Sequence, residues 1–340
     1  MHNTRTWTNF DTDIKVALLS QPGIYPFPTK TVEVIETYMS WLFFTDCHVF
    51  KLKKPIHSEI VDLRTPEARY KNCVIESKLN EPLGGDVYLG IVPLTAIEEG
   101  RLQIDREGKP VDWLVWMKRL PKEQMLHECI RNDQVTSHLL QSAAEKLTDF
   151  YLKAPTLTVP CHLFRERIRV DILKNQHALI NPKLKLSSRQ IKIIGGSLFH
   201  FLEHHEALLD TRARNKRIIE THGDLKPEHI CLRPEPAIID CLEFNRTLKI
   251  MDIAEELSYL CMECEALNNP VPGKLFLETY IRKSQDPIPD ELIIFYKAKR
   301  SFLRAWLTSR HILKARTDKD KWSDLCALYM SLASAYCKLL

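Results

Sequence analysis

Apolar positions recur at helical spacing in two stretches near the start of the chain, Asp13 to Leu19 and Val32 to Trp41, on either side of the proline-rich run Gln21 to Pro28. The spacing predicts two N-terminal helices. From Leu42 to Pro55 the period shortens: Phe43-Phe44, the polar Thr45-Asp46-Cys47-His48, and Val49-Phe50-Lys51-Leu52-Lys53 read as two strands around a tight turn. Thr65-Pro66-Glu67 has the form of a helix start, a capping threonine with proline just inside the first turn, and predicts a helix to Leu83. Two further strands follow, Val87 to Ile97 and Val111 to Leu120, joined by the turn-like Glu98 to Pro110. Residues 1–120 are therefore expected to form a small lobe of helix and antiparallel sheet.

Pro121 opens a helix-rich regime that runs through Tyr151 and again from Ser187 to Leu209, while Thr156 to Ile180 fits neither period cleanly. Past Glu220 the pattern becomes loop, strand, loop: Thr221 to Glu228, His229 to Leu232, a turn from Arg233 to Pro236, then Ala237 to Asp240. From Met251 onward it is mostly helical, broken at Pro270, Pro272, Pro287 and Pro289. No glycine- or serine-rich linker separates the halves, so the boundary near residue 120 reads as a hinge, with residues 121–340 forming a second, mainly helical lobe.

Composition narrows the classes. With 340 residues, 44% of them hydrophobic, the chain is long enough for two packed cores. Its 48 basic residues are nearly matched by 44 acidic ones, which argues against a nucleic-acid binder. No run of 18 apolar residues occurs, and Met1 to Phe10 is polar rather than a signal core, so a soluble, cytoplasmic protein without a membrane partner is expected. The ten cysteines are scattered through apolar segments. Cys261 and Cys264 form a CxxC without a second pair at zinc spacing, and read as helix-packing thiols.

The chemistry concentrates in His222-Gly223-Asp224-Leu225-Lys226-Pro227-Glu228-His229, followed by Ile238-Ile239-Asp240. Phosphoryl transfer needs one carboxylate to orient a hydroxyl and accept its proton, and a second to hold magnesium against phosphates. Asp224 and Asp240 fit those roles, sixteen residues apart across a turn that brings two short strands together. Lys51 and Lys53 share one face of their strand, and Glu76 lies on the helix expected to pack beside it.

The segment resembles the catalytic loop of protein kinases, and still more that of aminoglycoside phosphotransferase-like enzymes, which carry glycine after the histidine. Ser40-Trp41-Leu42-Phe43, Phe50 to Pro55, Glu76 to Asn80, Tyr88 to Pro93, Met117 to Pro121 and Asp240 to Asn245 continue the resemblance in order, towards a bacterial branch sometimes joined to a P-loop domain. No GxxxxGK[ST] occurs, so that extra domain is expected to be absent. The resemblance implies a two-lobed, protein-kinase-like α+β fold, with ATP and Mg2+ between a small sheet-containing N-lobe and a larger helical C-lobe. It implies that Lys51 or Lys53 contacts phosphate, that Glu76 fixes that lysine, and that the backbone around Met117 and Arg119 meets adenine. It also implies that Asp224 is catalytic, that His222 braces the loop, and that Asp240 binds metal; Lys226, two residues past Asp224, either steadies the transferring phosphate by its charge or points into solvent. His229 stands where kinases place a metal-binding asparagine.

Three departures bear on function. Neutral imidazole is a poor magnesium ligand, so His229 puts a second metal in question. The turn Thr45 to His48 lacks glycine, which keeps backbone amides further from phosphates. Only eleven residues separate Asp240 from Asp252, too few for a segment that docks protein substrates, which leaves a small-molecule hydroxyl as acceptor. A non-catalytic nucleotide-binding protein on the same fold is the alternative. Arg212, Arg214, Lys216 and Arg217 read as a solvated helix end, and Asp252 with Glu256 as acids capping a helix start.

Overall fold

The computed structural model describes residues 10–58, 60–97, 101–314 and 319–340. The polar start, Met1 to Phe10, lies outside them except for Phe10. The chain divides into two compact units, residues 1–124 with 237–246, and residues 125–236 with 247–340. Residues 237–246, which the sequence pattern left in the second half, pack with the first unit.

In the first unit α1 (Thr12–Leu19) precedes strands β1 (Glu33–Glu36), β2 (Ser40–Phe44) and β3 (His48–Lys53). The helix expected over Val32 to Trp41 is instead β1 and the start of β2. The β-branched Thr31, Val32, Val34, Ile35 and Thr37 favour extended backbone, and the Thr37 hydroxyl closes the turn by accepting from the Ser40 amide at 3.0 Å. A small hairpin, β4 (His57–Ser58) and β5 (Val61–Asp62), leads into α2 (Pro66–Gly84), whose Thr65 cap accepts from the Ala68 amide at 3.2 Å. Then come β6 (Tyr88–Ala96), β7 (Leu102–Ile104) and β8 (Lys109–Lys118). The sheet order is β1-β2-β3-β8-β6-β7, antiparallel throughout. β7 falls in the stretch Glu98 to Pro110 expected to be a turn, part of which, 98–100, is outside the described residues; Leu102 and Ile104 are buried in the core, which pulls this short segment into the sheet.

Phe43, Phe50, Leu52, Leu94 and Leu114 form one face of the sheet, covered by Leu19 and Tyr25 from the N-terminal segment. Asp112 ties three elements together, taking Lys15 of α1 at 2.8 Å and both arms of Arg69 of α2 at 2.7 Å.

The second unit begins with α3 (Leu126–Arg131), α4 (Ser137–Lys153) and α5 (Cys161–Leu179), the last resolving the ambiguous stretch as helix. α6 (Ser188–His204), α7 (Glu206–Arg214), β9 (Ile218–Glu220) and β10 (Ile230–Cys231) follow. The chain passes through β11 (Ala237–Ile238) in the first unit, then α8 (Arg246–Lys249), and continues with β12 (Ile250–Asp252), α9 (Ile253–Ala266), α10 (Val271–Ser284), α11 (Asp290–Lys314) and α12 (Lys319–Cys337). β9 pairs antiparallel with β12. α9 is buried along nearly its whole length, Cys261 and Cys264 included, and Gly273 of α10 fits against the Cys261 backbone so closely that an added Cβ would lie 2.6 Å from its Cα.

Arg212 corrects the expectation of a solvated basic end. It is buried, with its Nε and Nη2 on the two Asp252 oxygens at 2.9 and 2.8 Å and its Nη1 on Asp286 at 2.5 Å. Two acids are available to neutralise it, so desolvation is offset. Arg214, two residues on, is exposed. Asp252 caps α9, as expected, by accepting from the Ala254 amide at 2.9 Å.

Candidate active site

Two residues apart on β3, Lys51 and Lys53 emerge on one face while Phe50 and Leu52 enter the core on the other. Two buried ammoniums are costly unless each meets an acid. Fully buried Glu76 of α2 takes Lys51 on Oε1 at 2.8 Å and Lys53 on Oε2. The stretch after β11 adds Asp240, 2.6 Å from Lys51, and Glu243, paired with Lys53. The five groups alternate in charge in the order Asp240, Lys51, Glu76, Lys53, Glu243. At one end the Asp240 side chain is 42% exposed, whereas Lys53 is wholly buried and Glu243 is 6% exposed.

This chain of charges sets the titration of its members. Burial disfavours the Lys51 ammonium, but Asp240, Glu76 and Glu243 outweigh it and hold its pKa well above the ordinary lysine value. For Glu76, burial pushes up and the two lysines pull down further, leaving the carboxylate ionised. Burial wins at Glu243, raising it above the usual carboxylate range.

Asp240 has φ of 63°, a left-handed conformation that costs most L-residues energy and is least unfavourable for Asp and Asn. Its amide donates to the Tyr88 hydroxyl at 3.2 Å. The next amide, of Cys241, donates to Asn80 Oδ1 at 2.9 Å, and Asn80 Nδ2 donates to the Glu76 carbonyl at 2.9 Å. The helix that carries Glu76 thus also anchors the segment that carries Asp240. The glycine-free turn is closed by Thr45, whose hydroxyl accepts from the His48 amide at 3.1 Å. Arg119 braces it: its amide donates to the Cys47 carbonyl at 2.8 Å and its guanidinium to the Thr45 carbonyl at 2.7 Å. Met117 is buried in β8, in register with Val49 and Tyr88.

In the second unit the loop after β9 carries the other set. The Glu256 carboxylate, fully buried on α9, accepts from the amides of His222 at 3.0 Å and Gly223 at 2.5 Å and from the Tyr151 hydroxyl at 2.7 Å. Gly223 turns the chain at φ of 90°, where a side chain is strained. Buried His222 accepts the Asp224 amide on Nδ1 at 3.3 Å. Tyr259, one turn beyond Glu256, donates its hydroxyl to Asp224 Oδ1 at 3.1 Å, and Lys226 Nζ lies 3.0 Å from Oδ2. His229 Nδ1 sits 2.8 Å from the Asp224 carbonyl and 4.0 Å from its carboxylate, so this nitrogen serves the backbone. Arg304 of α11 is held by Glu263 at 2.8 Å and the Tyr329 hydroxyl at 3.0 Å. Burial raises the Asp224 pKa, yet Lys226, His229 and Arg304 together pull it well below the usual carboxylate range.

The structure therefore gathers Lys51, Lys53, Glu76 and Asp240 into one cluster, and His222, Asp224, Lys226 and His229 into another. Glu243, Asn80, Tyr88, Tyr259 and Arg304 were not assigned from sequence. Glu243 stood three residues after Asp240 in a matched segment, and Glu256, Tyr259 and Glu263 recur at helical spacing, but only the fold says what each meets.

Magnesium commonly takes one or two protein carboxylates and fills its remaining positions with water and phosphate oxygens. Asp240, partly exposed, suits that mode, and among the described residues no group of three or more His, Cys, Asp or Glu forms a ready-made cage.

No family model matches the chain. Uncharacterised proteins of Mycobacterium tuberculosis and Mycobacterium bovis are 28% identical over 288 residues, 81% of this chain and 54% of theirs, so the chain spans about half the length of these curated relatives. Among solved structures, a choline/ethanolamine kinase family protein from Mesorhizobium loti is 14% identical with a TM-score of 0.52, covering 96% of this chain and 99% of that one. Choline kinase LicA from Streptococcus pneumoniae gives 14% and 0.53, over 89% of this chain and 94% of LicA. LicA in complex with AMP gives 16% and 0.55, over 96% and 100%. The chain thus has the protein-kinase-like α+β fold of small-molecule kinases, as its sequence resemblance implied. No described helix is long and apolar enough to cross a membrane.

Proposed function

We propose that this protein is a cytoplasmic, ATP-dependent phosphotransferase that moves the γ-phosphate to a hydroxyl of a small molecule. The observation that carries this reading is Lys51 held between Glu76 and Asp240, the arrangement that phosphoryl transfer asks of a phosphate lysine, its orienting acid and a metal carboxylate. The likeness to choline kinases, one solved with AMP, supports the same class of chemistry.

In this mechanism Lys51 contacts the nucleotide phosphates while Glu76 keeps its ammonium in place. Asp240 would hold Mg2+, which would supply positive charge to the phosphate oxygens. Asp224 accepts a hydrogen bond from the acceptor hydroxyl and orients it for in-line attack. Its depressed pKa makes it a weak base, suited to taking the proton late, as charge leaves the nucleophile in a loose transition state. Tyr259 and Lys226 fix the carboxylate from two sides. Lys226 also offers a positive charge to the transferring group.

The test is a mass-spectrometric screen of a metabolite pool with ATP and magnesium, run beside Asp224→Asn. Intact protein should label a hydroxyl compound, and the variant, equally folded and equally able to bind ATP, should be at least about a hundredfold slower. Full activity in the variant removes Asp224 from the mechanism. Nucleotide binding without turnover in the intact protein would favour the non-catalytic reading, to which His229 and the Thr45-closed turn lend support.

A further inference from the structure

The wholly buried end of the charge chain has no counterpart in the mechanism above. Lys53 is fully inaccessible, so it cannot touch a phosphate, and a core position of this kind would ordinarily hold an apolar side chain. It is kept as an ammonium by two acids, Glu76 and Glu243. Glu243 is nearly as enclosed, with 6% of its side chain exposed.

We infer that Lys53 and Glu243 are a positioning pair that holds the Glu76 carboxylate in place for Lys51 when Asp240 turns from Lys51 to a nucleotide-bound metal. This rests on the phosphotransferase reading and assigns a division of labour to the two lysines that the sequence left open. Lys51 is shared between Glu76 and Asp240. Once Asp240 serves the metal, Lys51 has only Glu76 to orient it. A carboxylate gripped through one oxygen can still rotate about its last side-chain bond, whereas one gripped through both cannot, and Lys53 grips the second oxygen. Glu243 is required in turn because a fully buried ammonium shared with Lys51 on one carboxylate would be under-neutralised. Asn80 fixes the same helix to the Asp240 segment through the Glu76 carbonyl, so the backbone and the side chain of Glu76 are both restrained.

The experiment uses Lys53→Met/Glu243→Gln, which removes both charges together and strands neither, beside Lys51→Met and the unaltered protein. Three quantities are measured: the cooperative unfolding transition, ATP affinity with and without Mg2+ by displacement of a fluorescent nucleotide, and the KM for ATP. The paired variant should unfold cooperatively yet bind ATP about tenfold more weakly in both conditions, with the ratio between them kept because Asp240 is intact. A purely structural pair would alter the transition and leave affinity of the folded protein unchanged. Wild-type affinity in the paired variant, with affinity lost in Lys51→Met, overturns the inference and leaves the phosphotransferase reading standing. Equal ATP binding by Lys51→Met and the unaltered protein, or none by either, overturns both. Should the paired variant fail to fold, Glu243→Gln alone decides: affinity about threefold weaker supports the pair, and unchanged affinity rejects it.

Discussion

Glu256 offers the sharpest test of how the loop around Asp224 is held. Its buried carboxylate accepts three hydrogen bonds, two from consecutive backbone amides and one from Tyr151. Replacing it by Gln keeps the shape and one acceptor oxygen, but turns the other oxygen into a donor that faces donors already there. Bonds to a charged acceptor contribute about 1.5–3 kcal/mol each, and a neutral replacement about 1 kcal/mol. Losing one bond and weakening the other two, offset in part by no longer burying a charge, comes to about 3 kcal/mol of destabilisation. The assay is urea unfolding followed by intrinsic fluorescence, paired with ATP turnover. Because the amides involved are those of His222 and Gly223, the shift should reach Asp224 next in the chain and lower turnover at least about tenfold, while ATP affinity stays near that of the intact protein. Stability within about 0.5 kcal/mol of the intact protein would refute the reasoning, since a surface substitution does as little.

Further outcomes follow from other parts of the structure. Asp240→Ala should abolish the magnesium dependence of ATP-induced thermal stabilisation, and an unchanged dependence would point to another ligand. Glu255 is buried, which pushes its pKa up, but Arg300 and Lys299 outweigh burial and set it to about 2. Its ionised form therefore stabilises the fold at pH values above the unfolded pKa near 4.3, and that stabilisation, about 3 kcal/mol, is lost as pH falls towards 2. Glu255→Gln should flatten the acid limb of unfolding free energy against pH; an identical limb would contradict the assignment. Gly273→Ala should destabilise by about 1–3 kcal/mol in urea unfolding, because the added methyl meets Cys261 backbone rather than a movable side chain.

The loop His222 to His229 was legible because its chemistry is contiguous: it fits one motif, and the side chains of His222, Asp224, Lys226 and His229 bond to the loop itself or to α9. The Thr65 cap was legible for the same reason, being local. β1 was misread because Val32 to Trp41 places apolar residues at spacings that suit a helix, and only pairing of Val34 with Phe43 in β2 decides for strand. β7 is too short to show a period and exists by pairing with β6. Arg212 looked like its exposed neighbour Arg214, and the acids that bury it lie 40 and 74 positions away. Lys53 and Glu243 are 190 positions apart, a pairing no spacing rule reports.

The return of residues 237–246 to the first unit has a consequence for the order in which the protein is made. A nascent chain ending at Gln124 holds Lys51, Lys53 and Glu76 but neither Asp240 nor Glu243, so two ammoniums would compete for one carboxylate in a core that excludes water. Completion waits for the ribosome to reach residue 246, roughly 6–24 s later at roughly 5–20 residues per second. A fragment cut at residue 124 would keep two ammoniums on one carboxylate, without the two acids that complete the neutralisation.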